Sequence, residues 1–193
     1  MERICVFCGS SVGDSVAYEE GARLLGRTLA GSGIPVVYGG ASVGLMGTLA
    51  DAALEAGGEV IGVIPKALQE REISHGNLTD LRLVGSMHER KALMSGLSDG
   101  FIAMPGGAGT LEEFFEVWTW EQLGEHSKPC GLLNVAGYYD PMLSFLDHMV
   151  TQGFLSEEHR AMVLVERKPE RLLERLSVYR PPDTPKWLSP SET

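Results

Sequence analysis

Short apolar segments alternate with longer segments of helical periodicity along almost the whole chain. Seven of the apolar segments predict β-strands, at residues 3–8, 34–38, 59–64, 81–84, 100–104, 130–135 and 163–165. Most of them are apolar at every position instead of at every second one, which is typical of strands buried on both faces of a sheet. Helices must therefore cover both faces of the sheet that these strands form.

The segments between the strands predict helices at residues 16–31, 43–56, 87–98, 110–123, 140–152 and 168–179. In the last of these, Leu172, Leu173 and Leu176 form an apolar stripe among Glu and Arg residues, after Pro169 in the first turn. Regular alternation of strands and helices predicts an α/β fold, namely a Rossmann-like parallel β-sheet with helices on both faces.

A chain of 193 residues fits one domain, which we expect over residues 1–180. Residues 181–193 are rich in proline and predict a loose C-terminal tail. Residues 65–80 form a long polar segment, which predicts either a connection over the surface or a loop that lines a site.

The formal net charge of −10 argues against binding to nucleic acid or to an anionic membrane, because both partners require a basic surface. A small anionic ligand needs only a local positive pocket. The sequence has no apolar stretch near the ~20 residues of a membrane span, and no signal-peptide pattern at residues 1–11, so we expect a cytoplasmic protein. Cys5 and Cys8 lie on opposite sides of a predicted strand, which predicts buried thiols.

Three glycine-rich loops, at residues 9–13, 39–44 and 105–110, each follow a predicted strand and precede a helix. Ligands of open parallel sheets bind beyond the carboxyl ends of the strands, and free N–H groups at helix N-termini bind phosphate there. The three loops therefore predict a nucleotide or sugar-phosphate site. The dinucleotide and triphosphate fingerprints, a metal-binding histidine pair and a serine nucleophile elbow are absent from the sequence, so we expect no cofactor and no metal.

The third loop leads into a segment with two possible interpretations. Thr110 is a suitable helix N-cap and Glu113 follows three residues later, which predicts a capping box and a structural role for Glu113. Arg90 and Lys91 begin an earlier helix, where they form either a solvated face or a cationic group near the same sheet edge.

The segment Met87-His88-Glu89-Arg90-Lys91, followed by P-G-G-A-G-T-L-E-E at residues 105–113, closely resembles the Lonely Guy family. Its members are cytokinin riboside 5′-monophosphate phosphoribohydrolases, often mislabelled as lysine decarboxylases. The resemblance runs from the loop at residues 7–11 to about residue 154. Relatives often have Tyr where this chain has Ala108, a difference that could alter the shape of the pocket.

This resemblance implies a homodimer that cleaves the N-glycosidic bond of cytokinin riboside 5′-monophosphates or AMP, giving the free base and ribose 5-phosphate. It implies that Arg90 and Glu113 are the catalytic pair. The substrate contacts that it implies are Gly9, Ser10, Lys66, Glu72, Arg90, Lys91, Gly107, Ala108, Gly109, Thr110, Leu111, Glu112, Glu113 and Thr119. Cleavage builds positive charge on the sugar, which a carboxylate such as that of Glu113 would stabilise.

Two other functions stay open at this point. A non-catalytic nucleotide-binding or carrier module could use the same glycine loops, although it would have no need of a carboxylate beside the phosphate. A pyridoxal-phosphate lysine decarboxylase is a poor fit to one small domain with five lysines. The helix at 110–123 has so many apolar residues that it predicts a dimer contact, through Phe114, Phe115, Val117, Trp118 and Trp120.

Overall fold

The computed structural model describes residues 1–69 and 74–182. Within them, seven parallel strands form one sheet in the order β4-β3-β2-β1-β5-β6-β7. The strands are β1 (Ile4–Phe7), β2 (Val36–Tyr38), β3 (Val60–Pro65), β4 (Asp80–Val84), β5 (Gly100–Ala103), β6 (Cys130–Leu133) and β7 (Val163–Glu166). The helices are α1 (Val16–Gly31), α2 (Gly44–Glu55), α3 (Lys66–Gln69), α4 (Met87–Gly96), α5 (Ala108–Gln122), α6 (Asp140–Thr151), α7 (Glu157–Ala161) and α8 (Pro169–Ser177).

The predicted fold class is confirmed, and each predicted strand and helix has a counterpart in the structure. The sequence missed α3, α7 and a 3₁₀ turn at Val135–Gly137, which are too short to show a helical period. Part of the polar segment is ordered as α3, and Ser74 pairs with Ala41 in an isolated bridge. Residues 183–193, and with them most of the predicted tail, lie outside the described residues, so the boundary between domain and tail stays a prediction.

Two apolar cores cover the two faces of the sheet, and β1 contributes to both. Ile4 and Val6 pack with α1, α2 and α8, whereas Cys5 and Phe7 pack with α4, α5 and α6. Cys8 belongs to the same core as Ile4 and Val6, so the two cysteines lie on opposite faces. Both are free and buried, as predicted, and burial raises the pKa of each thiol.

The strand order reverses beside β1, which places a crevice at the carboxyl edge of the sheet. The chain runs outward from β1 to β4 and then returns to β5, on the other side of β1. The loops after β1 and β5 lie in contact there, because the Gly9 N–H donates to the Pro105 carbonyl at 3.1 Å. A Cβ on Gly106 would lie 2.8 Å from Gly9 N and 2.2 Å from Thr110 Oγ1, so the close approach requires glycine.

Candidate functional site

Two adjoining cavities open at this crevice. The larger one, the main cavity, has a volume of about 360 Å³ and is lined by the loops after β1, β2 and β5 and by the first turns of α4 and α5. The smaller one, the side cavity, has a volume of about 310 Å³, and its walls include Tyr18 and Tyr138. Gly9, Ser10 and Gly107 line both, so they form the partition between the two cavities.

The N-terminus of α5 faces the main cavity with free donors. Gly107 is its N-cap residue and no side chain caps the helix. Among the described residues, the first backbone N–H of α5 that bonds into its own helix turn is that of Leu111, which donates to the Gly107 carbonyl. The N–H groups of Ala108, Gly109 and Thr110 therefore lie at the positive end of the helix dipole, where phosphate and other anions bind.

The predicted capping box at Thr110 and Glu113 is wrong. The helix begins two residues before the predicted start, so Thr110 is a buried residue of its first turn and not the cap. Gly106 lacks the side chain that would clash with Gly9 and Thr110 in this tight loop, and the next residue, Gly107, leads directly into helical backbone. Glu113 thus has no capping role that would account for its position.

Arg90 reaches the main cavity from the first turn of α4, a helix with a capped N-terminus. The Ser86 hydroxyl accepts from the Glu89 N–H at 3.1 Å, and the Glu89 carboxylate accepts from the Gly85 N–H at 2.7 Å. The S-x-x-E pattern at residues 86–89 would have revealed this cap in the sequence. Arg90 is buried, with Nε donating to the Val63 carbonyl at 3.1 Å.

Gly39 lines the main cavity, and the sequence alone does not identify it individually. Its carbonyl accepts a hydrogen bond from Arg90 Nη2 at 3.3 Å. A Cβ at this position would lie 1.9 Å from the same Nη2 atom, so a larger residue would displace the guanidinium. The second glycine loop therefore leaves room here for the side chain of Arg90. The Gly-Gly pair directly after β2 is the sequence feature that could have indicated this close approach.

Glu113 extends from α5 into the main cavity opposite Arg90. Its Oε1 lies 3.8 Å from Arg90 Nη1, and the two side chains are 13% and 10% exposed. Burial raises the pKa of the Glu113 carboxyl, the Arg90 charge lowers it and nearby Glu112 raises it, with a net value above the ordinary 4.5. A carboxylate with a raised pKa beside a cavity is suited to accept a proton from water.

Lys91 lies next to Arg90 in the sequence but makes different contacts. Its ammonium is hydrogen-bonded to Glu112 and lies 2.9 Å from Glu116 Oε1. Burial lowers the pKa of this amine, but the two hydrogen bonds together raise it by more. The pKa of Lys91 therefore lies above its ordinary value. Glu112 also lines the main cavity.

The remaining residues implied by the resemblance divide into three groups. The main cavity contains Gly9, Ser10, Gly107, Ala108, Gly109 and Thr110 in its walls, beside Arg90, Glu112 and Glu113. Leu111 packs against the core, and Lys66 and Thr119 are exposed outside the walls of both cavities. Glu72 lies outside the described residues.

Residues 1–69 and 74–182 contain neither a recognisable metal centre nor a membrane-spanning helix. Over these ranges, no cluster of three or more His, Cys, Asp or Glu side chains is arranged to hold a metal ion. None of the helices there has the length and apolar character needed to cross a membrane.

Sequence comparison identifies the family. Residues 46–176 match the family model described as "Possible lysine decarboxylase". Cytokinin riboside 5′-monophosphate phosphoribohydrolase LOG of Oryza sativa subsp. japonica is 50% identical over 179 residues, which cover 93% of this chain and 74% of that protein. An Arabidopsis thaliana protein of the same name, LOG1, is 50% identical over 180 residues, which cover 93% of this chain and 84% of that protein.

Solved structures share the fold at lower sequence identity. The molybdenum cofactor carrier protein of Chlamydomonas reinhardtii superposes with a TM-score of 0.70 at 21% identity, over 92% of this chain and 99% of that one. The molybdenum cofactor binding protein of Rippkaea orientalis gives a TM-score of 0.68 at 22% identity, over 92% and 96%. At this identity the likeness extends to the fold alone. The sequence matches go further: this chain belongs to the LOG family of cytokinin riboside 5′-monophosphate phosphoribohydrolases.

Proposed function

We propose that this chain hydrolyses the N-glycosidic bond of cytokinin riboside 5′-monophosphates, and of AMP, to release the free base and ribose 5-phosphate. The observation that carries the proposal is the buried pair of Arg90 and Glu113, which faces a cavity bounded by the free N–H groups of α5. The named activity of the relatives supports a hydrolase acting on cytokinin nucleotides. AMP offers the same sugar and phosphate, which makes it the simplest substrate to test.

The phosphate would bind at the N-terminus of α5. Backbone donors from Gly107 to Thr110 and the helix dipole favour a doubly charged phosphate over a neutral hydroxyl. Gly9 and Ser10 line the same wall of the main cavity and would add contacts to the ribose phosphate. Binding energy from this remote group holds the substrate in the site, so nucleotides should have a higher kcat/KM than nucleosides.

Glu113 is the proposed catalytic carboxylate. The bond between C1′ of the ribose and the base nitrogen breaks, its electron pair leaves with the base, and the sugar becomes oxocarbenium-like. The negative charge of Glu113 would stabilise that cation and accept a proton from the attacking water, whose oxygen bonds to C1′. The proton then passes to the departing base, which completes the hydrolysis without any further reactant.

Arg90 is the proposed partner of Glu113 in catalysis. Two of its nitrogens donate to the Val63 and Gly39 carbonyls, which fixes the plane of the guanidinium. The cation lowers the pKa of Glu113, so more of that carboxyl is ionised at neutral pH. The same positive charge would offset the negative charge that develops on the leaving base.

The other contacts implied by the family resemblance are also part of the proposal. Lys91 lies beside the site but is bound to two carboxylates. Lys66, Leu111 and Thr119 lie outside the walls of the main cavity in a single chain, and they are proposed contacts by resemblance only.

We also propose that the protein is a cytoplasmic homodimer. Three free cysteines fit a reducing compartment. Phe114, Val117 and Trp118 of α5 are buried within the chain itself, so the dimer contact predicted on this helix would have to use other residues. The exposed Phe145 and Phe154 supply additional apolar surface, and light scattering at micromolar concentration tests the dimer.

Incubation with AMP, isopentenyladenosine monophosphate and the two unphosphorylated nucleosides tests the activity. We expect free base from the nucleotides and almost none from the nucleosides. A carrier module of the same fold, the second candidate, would bind the nucleotides and return them intact. Equal kcat/KM for AMP and adenosine would contradict the phosphate-binding role of α5.

A further inference from the structure

Two adjacent tyrosines in the turn between β6 and α6 hydrogen-bond to the loop that precedes α5. The Tyr139 hydroxyl donates to the Met104 carbonyl at 2.5 Å, and the Tyr138 hydroxyl donates to the Gly106 carbonyl at 2.5 Å. Met104 and Gly106 flank Pro105, so the two bonds hold both sides of the turn that leads to the phosphate-binding end of α5.

The turn that carries the tyrosines is itself rigidly held. The buried Asn134 side chain accepts from the Tyr139 N–H at 2.8 Å and donates to Asp140 Oδ1 at 2.6 Å. Ala136 has a φ of +52°, a left-handed conformation that residues with a side chain rarely adopt. Backbone of this kind persists only where the surroundings enforce it, and it is concentrated at functional sites.

The two tyrosines have different environments. Tyr139 is 1% exposed and packs in the core, so its hydrogen bond stabilises the interior. Tyr138 is 39% exposed, and its ring stands edge-on to Tyr18 in the wall of the side cavity, with ring centroids 5.6 Å apart. Water could satisfy the Tyr138 hydroxyl, so burial does not require the bond to Gly106.

We propose that Tyr138 is a positioning residue for the phosphate. The Gly106 carbonyl and the Gly107 N–H belong to one planar trans peptide unit, in which they point in opposite directions. The Tyr138 hydroxyl holds the Gly106 carbonyl towards the side cavity. The Gly107 N–H therefore points the opposite way, towards the main cavity. A Gly-Gly peptide has little intrinsic preference for this orientation, so an external hydrogen bond is needed to fix it.

The hydrogen bond has a second effect on the same peptide group. A carbonyl that accepts a strong hydrogen bond polarises its peptide unit, which makes the N–H of that unit a better donor. The inference rests on the proposed function, since that function places the phosphate at this end of α5. It adds a residue from a different turn of the chain, one that contacts no substrate and acts through the loop.

Tyr138→Phe tests the role because it removes the hydroxyl and keeps the ring. Tyr18→Phe is the matched control, since it removes a hydroxyl from the same cavity wall that forms no hydrogen bond with the described residues. Calorimetry with ribose 5-phosphate should show a Kd about tenfold higher for Tyr138→Phe, the equivalent of one hydrogen bond. Tyr18→Phe should stay within about twofold of the wild type.

Steady-state kinetics with AMP give a readout that a merely structural residue would not produce. The phosphate is bound in both the ground state and the transition state, so Tyr138→Phe should raise KM and leave kcat nearly unchanged. With ribose 5-phosphate bound, the amides of Gly107–Gly109 should be less protected from hydrogen exchange in this variant than in the wild type, with the rest of the molecule unchanged.

The binding and exchange measurements separate this inference from the proposed function. If the wild-type protein binds ribose 5-phosphate but releases no base, the proposed hydrolase activity is contradicted. The affinities of Tyr138→Phe and Tyr18→Phe for ribose 5-phosphate can still be compared in that case. Wild-type affinity for ribose 5-phosphate in Tyr138→Phe, or an equal loss in Tyr18→Phe, would overturn the positioning role whatever the activity. A loss of kcat at constant KM would overturn it as well.

Discussion

Helices α4 and α5 are joined by two groups of charges that are neighbours in the sequence and differ in geometry. Arg90 and Glu113 face each other at 3.8 Å beside the main cavity, with both side chains mostly buried. One residue further along α4, Lys91 is hydrogen-bonded to Glu112 and Glu116, whose side chains are 55% and 27% exposed. We call these the loose pair and the tight cluster.

The difference shows which charges are available for chemistry. The tight cluster satisfies its ammonium with two carboxylates and needs no ligand. The loose pair is too far apart for a hydrogen bond, so both ions have been removed from water without full compensation from each other. Such groups are costly to bury unless a ligand or a catalytic function makes use of them. Distance and burial, and not residue type, therefore distinguish the two groups.

The largest loss of activity is expected from Glu113→Gln, which removes the negative charge of the loose pair and keeps the shape of the Glu113 side chain. Base release from AMP should fall by at least ~100-fold, because the sugar cation loses its stabilising carboxylate. AMP should still bind, since the phosphate contacts come from the backbone of α5. Single-turnover release and calorimetry on the same preparations provide the two measurements.

Glu116→Gln is the matched control from the tight cluster, three residues further along the same helix. It weakens a bond to Lys91 and should leave release within about twofold of the wild type. If the two variants lose activity equally, the distinction between the groups is wrong. Normal release by Glu113→Gln would refute the catalytic assignment directly.

The sequence predicted the sheet well and the site only in part. Continuous apolar runs such as that of β1 require burial on both faces, and this alone determines a covered parallel sheet. The predicted start of α5 is wrong because Thr110 is a typical capping residue, whereas the observed cap is Gly107, which follows the close contact between Gly106 and Gly9. Gly39 and Tyr138 hydrogen-bond to residues 51 and 32 positions away in the sequence, and no local pattern records such contacts.

A smaller loss of activity is expected when Arg90 of the loose pair is displaced but both charges remain. In Gly39→Ala, the new Cβ would lie 1.9 Å from Arg90 Nη2 and must displace the guanidinium from its position opposite Glu113. We expect kcat/KM for AMP to fall about tenfold, the loss of roughly one charged hydrogen bond. Gly96→Ala, at the end of α4, places its Cβ in open space and should match the wild type in kcat/KM.

The pH dependence of the reaction tests the electrostatics of the same pair. Burial raises the pKa of Glu113 and Arg90 lowers it, so the acid limb of kcat/KM should lie above the ordinary 4.5. Arg90→Gln removes the cation, and with it the effect that lowers the pKa of Glu113. The acid limb should therefore move to higher pH in this variant, and a shift to lower pH would contradict the assignment to Glu113.

The smallest effect on turnover is expected from a third carboxylate, at the far end of α5. Glu121 is buried, one oxygen accepts a hydrogen bond from Tyr179, and the other has no partner among the described residues. Burial raises the pKa of this carboxyl to about 7, although the hydrogen bond from Tyr179 lowers it. Unlike the loose pair, it lines neither cavity.

Because the folded pKa of Glu121 exceeds the unfolded one, the folded state binds the proton more tightly. Its contribution to stability is complete below the ordinary 4.5 and is lost as the pH rises through about 7. Glu121→Gln should therefore raise the free energy of unfolding at pH 8 by on the order of 1 kcal/mol, with a smaller gain at pH 5. Denaturant titrations at the two pH values measure the difference. An equal gain at both, or a change in base release, would show that Glu121 does not act through its buried charge alone.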